Sequence, residues 1–559
     1  MSDSARLARV DATHRSTLHL AFMSPTFDPF LTFLRRALAA QSEDDMRARA
    51  LWLEAACYLY PTDSVSIDRL MLELLEQQDI AQAIALVETV AQLEPHSAAA
   101  SVRLGYALQM ANRHRDALAP YRHALAIEPA FPQLRKNLAI ALNRTGGDPA
   151  EERQLLEAAV AADPSDFALW INLMSARRAC FDLDGALAAA RRAVEIDPNS
   201  AVAHSNLAQA LKEAQRWDDA LTHAATACEL APDNASLCTG LGVLHLLRGN
   251  YAEGWPAHEA RWNDPASMLT NGRPPFGRPQ WRGESLKGKT LLVWGEQGMG
   301  DVLQFCRFMP LLAQRVHREG GRIVWNSFGQ MGALLPRSFG EHVDAYSAAR
   351  EVEALPPFDF ELPLVSAPLM LGTRIESIPP VVPYLRADPD LRDAWRARLA
   401  DEKRLKVGLA WTGSLNHGRN RFRRVGAERY AQAFREIDGV AFYSLQPGAT
   451  ADVEAARAAG LPMHDFTHEW RSFDDTAAFV SELDLVISVC TSAAHLAGAL
   501  GQRTWVLLDV NPYWTWMIAR RDSPWYPTAT LYRQRQFAQW QPVLDDVARD
   551  LHALATRSA

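Results

Sequence analysis

Six prolines recur through the first half of the chain: Pro61, Pro95, Pro129, Pro164, Pro198 and Pro232. Their separations are 34, 34, 35, 34 and 34 residues. A period of this length fits two antiparallel helices. Helix pairs that cannot bury their apolar faces alone stack into a solenoid. Proline cannot continue a helix, so each of these residues is expected just past the end of the second helix of its pair.

The pattern between the prolines agrees. In residues 201–234 the packing positions are Leu207, Ala208, Ala220 and Ala227. In 167–200 the same places hold Trp170, Leu173, Ala186 and Ala193, and before Pro129 they hold Leu104, Gly105, Ala117 and Ala124. Small residues at these places let neighbouring helices approach closely. This register resembles the tetratricopeptide repeat family, with about seven units over 1–262. The unit before Pro61 is degenerate. Ala235–Trp262 keeps Leu241, Gly242 and Gly254 but ends in GWPAHEARW instead of proline, and reads as the unit that docks the array on the next domain. The resemblance implies a concave groove that takes a protein partner. Asn137, Asn172 and Asn206 recur on the inner helices: they either bond a peptide backbone or form the ordinary polar face of amphipathic helices.

A chain of 559 residues exceeds one hydrophobic core, and about three domains are expected. The net charge of −8, with no long basic block, argues against nucleic acid as a partner. Cysteines 57, 180, 228, 238, 306 and 490 lie without CxxC pairs, which predicts reduced thiols rather than a disulfide framework or a zinc site. No apolar run reaches the roughly 18 residues of a membrane span. The opening MSDSARLARVDATHRS lacks the apolar core of a secretory leader. A cytoplasmic protein is expected.

After a Gly- and Pro-rich stretch, 263–287, read as a linker, the pattern changes to strands alternating with helices. Strand candidates are Thr290–Trp294, Arg322–Asn326 and Phe358–Pro363, then Lys406–Trp411, Ala441–Gln446, Leu485–Val489 and Thr504–Leu508. This alternation predicts two parallel-sheet domains, 288–390 and 391–559. The segment LLVWGEQGMGDVLQFCR, Leu291–Arg307, reads as a strand, a glycine turn and a helix starting near Asp301. In such a unit the strand-end turn faces the crevice where ligands bind. Asp301 either serves chemistry there or caps the helix.

WGEQGMGDVLQFCRFMP and VISVCTSAAHLAGALG resemble the two signatures of the heptosyltransferase family. The whole layout, through DSPWYPTATLYRQ, resembles bacterial glycosyltransferases bearing tetratricopeptide repeats, among them the flagellin glycosyltransferases. The fold implied is an α-solenoid followed by an α/β GT-B fold of two Rossmann-like domains. The function implied is inverting, metal-independent transfer of a sugar from a nucleotide-sugar to a protein held by the repeats, flagellin being the candidate, with no bound cofactor. Asp301 is then the base, with Glu296, Gln297, Gly300 and Gln304 on the acceptor side. Donor contacts are expected from Trp411, Gly413, Ser414, His417, Arg421, Arg423, Gln446, Cys490, Thr491, Ser492 and His495. Thr491 and Ser492 open a helix, a natural anion site. After Lys406 the chain has no lysine, so arginine supplies the cations of that domain. Asn511–Trp516, NPYWTW, either lines the donor pocket or belongs to the core. No DxD pair follows a strand, and Asp474–Asp475 reads as a helix start. The family generally carries Asp where this chain has Cys490. Two alternatives stay open: a repeat scaffold with an inactive transferase domain, and a lipopolysaccharide sugar transferase.

Overall fold

The computed structural model describes residues 29–42, 45–58, 65–263, 273–296, 298–415 and 417–558. The described residues divide into two compact units, one up to Ala210 and one from Leu211 onward.

Fourteen helices in seven pairs run from Pro29 to His258 among the described residues. The second helices end at Leu93, Ile127, Ala162, Ile196 and Leu230, each two residues before a proline of the 34-residue series. In the unit up to Ala210, Ala117, Ala124, Ala186 and Ala193 are fully buried between helices. A Cβ on Gly105 would lie 2.5 Å from the Tyr121 ring, so only glycine admits that ring. Helix starts are capped by Ser97, Asp148, Asp166 and Asp182, whose side chains accept backbone N–H groups. Successive pairs are also tied by ion pairs, Arg103–Asp68 at 2.6 Å and Lys136–Asp166 at 2.7 Å.

The unit 211–559 begins within the helix Ala201–Glu213. Its last helix pair, Ala235–Arg248 and Tyr251–His258, crosses at Gly242 and Gly254. Added Cβ atoms there would meet His258 N at 2.6 Å and Leu246 Cδ2 at 2.7 Å. The segment that replaces the proline ending packs on the α/β domain. Trp255 donates to the Thr373 carbonyl at 3.0 Å, and Trp525 donates to the Tyr251 hydroxyl at 2.9 Å. The repeat pattern therefore ends at 262, whereas the packing boundary falls at 210/211, because these last helices share their buried faces with the α/β domain.

The expectation that all the cysteines are reduced is corrected. Cys228 and Cys238 form a disulfide, while Cys306 and Cys490 carry free thiols. The two partners lie at the end of helix Trp217–Leu230 and the start of helix Ala235–Arg248, where a short turn brings their Cα atoms to 5.0 Å. A spacing of ten residues across a helix turn carries no recognisable cysteine motif.

The α/β part holds two all-parallel sheets. Sheet one contains β1 (Thr290–Trp294), β2 (Arg322–Asn326), β3 (Ala345–Ser347) and β4 (Phe360–Pro363), in the order 3-2-1-4. Sheet two contains β5 (Leu405–Ala410), β6 (Val440–Ser444), β7 (Met463–His464), β8 (Leu485–Val489), β9 (Thr504–Leu508) and β10 (Ala529–Arg533), in the order 10-9-8-5-6-7. The chain thus contains the expected helical solenoid followed by α/β domains with parallel sheets. The strands β3 and β7, of three and two residues, and the edge strand β10 escaped the sequence reading. Of the stretch read as linker, 264–272 lies outside the described residues. Residues 273–287 pack on the edge of sheet one: Trp281 is fully buried and donates its backbone N–H to the Glu361 carbonyl.

Each sheet has one place where strand order reverses. In sheet one it lies between β1 and β4, in sheet two between β5 and β8. Chains leaving neighbouring strands in opposite directions open a crevice at the strand ends there. The motif segments after β1, β5 and β8 all leave from these two places.

Candidate active site

Past β1, Gly298 precedes the helix Met299–Phe305. Asp301 lies in its first turn, half-buried. Tyr513 donates its hydroxyl to Asp301 Oδ1 at 2.9 Å. Burial pushes the Asp301 carboxyl up to about 6, against the opposing pull of the Tyr513 hydrogen bond. A carboxylate so placed is ionised at neutral pH and holds a proton more strongly than an ordinary aspartate.

A Cβ on Gly300 would stand 3.3 Å from His495 Cδ2 and 3.7 Å from Ser492 Cα. The glycine therefore lets the helix start beside Asp301 meet the helix Ser492–Ala499 that follows β8. Thr491 precedes that second helix and its side chain makes no capping bond. Thr491 and Ser492 are half-buried. The structure thus brings the two motif segments to one place, with a carboxylate on one helix and an uncapped N-terminus on the other.

Several predicted site residues face the interior instead. Glu296 is buried and pairs with Arg261, Nε to Oε2 at 3.1 Å and Nη2 to Oε1 at 2.9 Å, while Val365 N–H also donates to it. Gln304 is fully buried and accepts from the Thr515 hydroxyl at 2.9 Å. Gln297 lies outside the described residues. Cys490 is buried and its sulfur accepts from Trp516 Nε1 at 3.2 Å, while burial raises its thiol pKa. His495 is buried, stacked on Trp516 at 5.2 Å between ring centres and bonded through Nδ1 to the Tyr526 hydroxyl at 2.9 Å. Burial, and then Arg307, press its pKa down to about 3, so the ring is neutral.

The loop after β5 separates in the same way. Trp411 is core and donates to Asp452 at 2.7 Å. Asn420 folds the loop on itself, accepting from Gly413 N–H and donating to the Thr412 hydroxyl. A Cβ on Gly413 would strike Arg423 Nη2 at 2.3 Å, so this glycine makes room for the guanidinium. Arg423 is half-buried with its Nε buried and unpartnered; burial raises the pKa of both Cys490 and Asp509, and the Arg423 charge pulls the other way at each. Gln446, just past β6, accepts from Thr412 N–H at 3.4 Å and flanks the same turn. Ser414 and His417 are exposed, and His417 Nδ1 accepts from Arg419 N–H at 3.1 Å. Arg421 is exposed, its guanidinium 5.7 Å from the Phe422 ring centre.

Residues 74–119 and 205–264 match tetratricopeptide-repeat family models. Tetratricopeptide repeats are present in these residues. A curated relative, Protein FlbA of Caulobacter vibrioides (strain ATCC 19089 / CIP 103742 / CB 15), is 27% identical over 330 residues, 56% of this chain and 54% of its own. The chain spans about half the length of that relative. Among solved structures, a tetratricopeptide protein, YrrB, titled as having an unusual peptide-binding site, is 21% identical, with 33% of this chain and 94% of that chain covered at a TM-score of 0.28. MamA from Desulfovibrio magneticus RS-1 is 21% identical, with 29% and 90% covered at a TM-score of 0.27.

The tetratricopeptide repeats and the motif segments were legible in sequence, but Tyr513 and Asp509 were not. Tyr513 reaches Asp301 from 212 residues away. It lies in NPYWTW, where the two tryptophans are core and the tyrosine alone turns to the carboxylate. Asp509 follows β9 directly, so its position one residue past a strand end was the available signal. Arg419, one of the arginines of the stretch after β5, is committed to carboxylates rather than to the crevice.

Proposed function

We propose that the α/β part of this chain is a glycosyltransferase that moves a sugar from a nucleotide-sugar to a protein acceptor held by the repeats. One observation carries this reading: Asp301, at the strand end of sheet one, lies where its helix meets the uncapped helix start after β8 of sheet two. In the proposed reaction the acceptor hydroxyl attacks the sugar's anomeric carbon. A carbon–oxygen bond forms there as the glycosyl–phosphate bond breaks with inversion. The hydroxyl proton passes to Asp301, and the nucleotide leaves with the electron pair. Arg423 and the N–H groups at Thr491–Ser492 stabilise the charge that develops on the leaving phosphate. The resemblance to flagellin glycosyltransferases makes flagellin the first acceptor to test. The scaffold alternative draws on the interior bonds of Cys490 and His495. Mass spectrometry of acceptor protein incubated with the intact chain and a nucleotide-sugar separates the two, since a scaffold adds no mass.

The two loop arginines should differ. Arg423→Ala is expected to weaken nucleotide-sugar binding by roughly 1.5–3 kcal/mol, the size of a charge-assisted contact, while Arg421→Ala leaves it nearly unchanged. Calorimetry showing equal affinity for wild type and Arg423→Ala would remove Arg423 from the phosphate site. Of the acidic pair in SFDDTAAFV, Asp474 bonds Arg337 and Asp475 accepts from the N–H of Arg471 and Ser472, closing a capping box. Transfer is accordingly expected to survive EDTA. Loss of turnover on chelation, restored by Mn²⁺ or Mg²⁺, would overturn the metal-free reaction.

A further inference from the structure

Arg419 joins three segments that are far apart in the chain. Its Nη1 pairs with Glu213, the last residue of the helix Ala201–Glu213, and its Nη2 lies 3.4 Å from the other oxygen of that carboxylate. The same Nη2 donates to Asp509 Oδ2 at 2.5 Å and to the Asn511 carbonyl at 3.2 Å. Glu213 and Asp509 are 1% and 6% exposed, so this guanidinium lies between two carboxylates that are both removed from water. Burial keeps Asp509 up at about 6 even beside Arg419.

Two of these segments, the loop of Arg419 and residues 509–511, lead to the candidate site. Arg419 ends the exposed stretch of the loop after β5, whose tip residue Leu415 is 78% exposed, and Arg423 follows four residues later. Asp509 follows β9, the neighbour of β8. Asn511 opens the segment in which Tyr513 bonds Asp301. A planar guanidinium forked between two carboxylates and a carbonyl has one orientation, whereas an ammonium would not fix the loop in this way. Internal bonds from Asn420 shape the loop, and Arg419 anchors it to other elements.

We propose that Glu213, on a repeat helix, is a positioning residue for the donor's phosphates: acting through Arg419, it holds the 411–424 loop so that Arg423 and Gly413 face the anion. This rests on the donor-site reading above and adds a residue of the repeat region to it. The affinity for donor is then set in part by a repeat helix.

The test uses the full-length protein, with inorganic pyrophosphate as the probe in titration calorimetry. Glu213→Gln is expected to weaken pyrophosphate binding about tenfold or more with unchanged stoichiometry, since it removes a charge-assisted anchor. Stoichiometry reports the folded fraction, so reduced stoichiometry with unchanged affinity would mean a purely structural role and overturn the inference. Arg419→Lys, which keeps the charge and loses the fork, is expected to weaken binding likewise. It gives the same reading if the glutamine variant does not fold, and wild-type affinity there overturns the proposal. If Arg423→Ala loses pyrophosphate while Glu213→Gln binds as wild type, the inference fails and the donor site stands. If Arg423→Ala binds as wild type, or the wild type does not bind, both fail.

Discussion

Asp301→Asn is expected to lower sugar transfer by a factor of about 10²–10⁴, the usual contribution of a positioned base, with donor affinity retained. The amide cannot take the acceptor's proton, yet it keeps an oxygen for the Tyr513 hydroxyl. In the wild type, transfer should fall as the pH drops through about 6, where the carboxyl protonates. The same substitution should stabilise the fold. Burial raises this carboxyl from 3.8 to about 6, so the folded state holds the proton more tightly than the unfolded chain does. The associated stability is fully present below about pH 4 and is lost as the pH rises through about 6. Above that range the ionised carboxylate costs the fold about 3 kcal/mol. Asparagine carries no charge, so the variant should melt above the wild type at pH 8, and the two should converge near pH 4. Near-wild-type turnover would remove Asp301 as the base. A lower melting point at pH 8 would mean that its contacts outweigh its desolvation.

The second large effect is structural. Arg261→Ala should destabilise the unit 211–559 by roughly 3–5 kcal/mol, because it removes the guanidinium paired with the buried Glu296 carboxylate. Arg261 also donates to Glu259, to the His258 carbonyl and to Ser366, so one side chain joins the end of the last repeat to the turn before Asp301. Burial already pushes the Glu296 carboxyl above its ordinary range, with Arg261 pulling the other way. Without Arg261 the folded state should take up a proton there. A raised folded pKa means stability that is lost as the pH rises, so the deficit should be smallest in acid and largest above neutrality. Glu296→Gln in the Arg261→Ala background should recover part of the loss. Melting curves from pH 5 to 8 give the comparison, and a deficit independent of pH would show that the buried carboxylate is not its source.

What the sequence determined by itself is whatever repeats over short distances. The proline series marked the helix pairs because each unit must close its second helix and present small residues to the next. The apolar runs before Gly295, Trp411 and Cys490 marked β1, β5 and β8, because buried parallel strands are apolar throughout. Gly300 and Gly413 lie in the two motif segments, and only the structure supplies what they approach, His495 and Arg423. Which polar residue of a motif faces the crevice was decided only in three dimensions. Glu296 and Asp301 share one turn, yet Arg261 takes the first into the interior while the second is left to Tyr513. Ser492 and His495 share one helix start, yet Tyr526 and Trp516 enclose the histidine. Arg419 and Arg423 share one loop, yet Glu213 and Asp509 claim only the first. The partners that divide each pair mostly lie tens to hundreds of residues away. Burying a charge or an imidazole is costly until such a partner arrives, so the choice between interior and crevice belongs to the tertiary contacts.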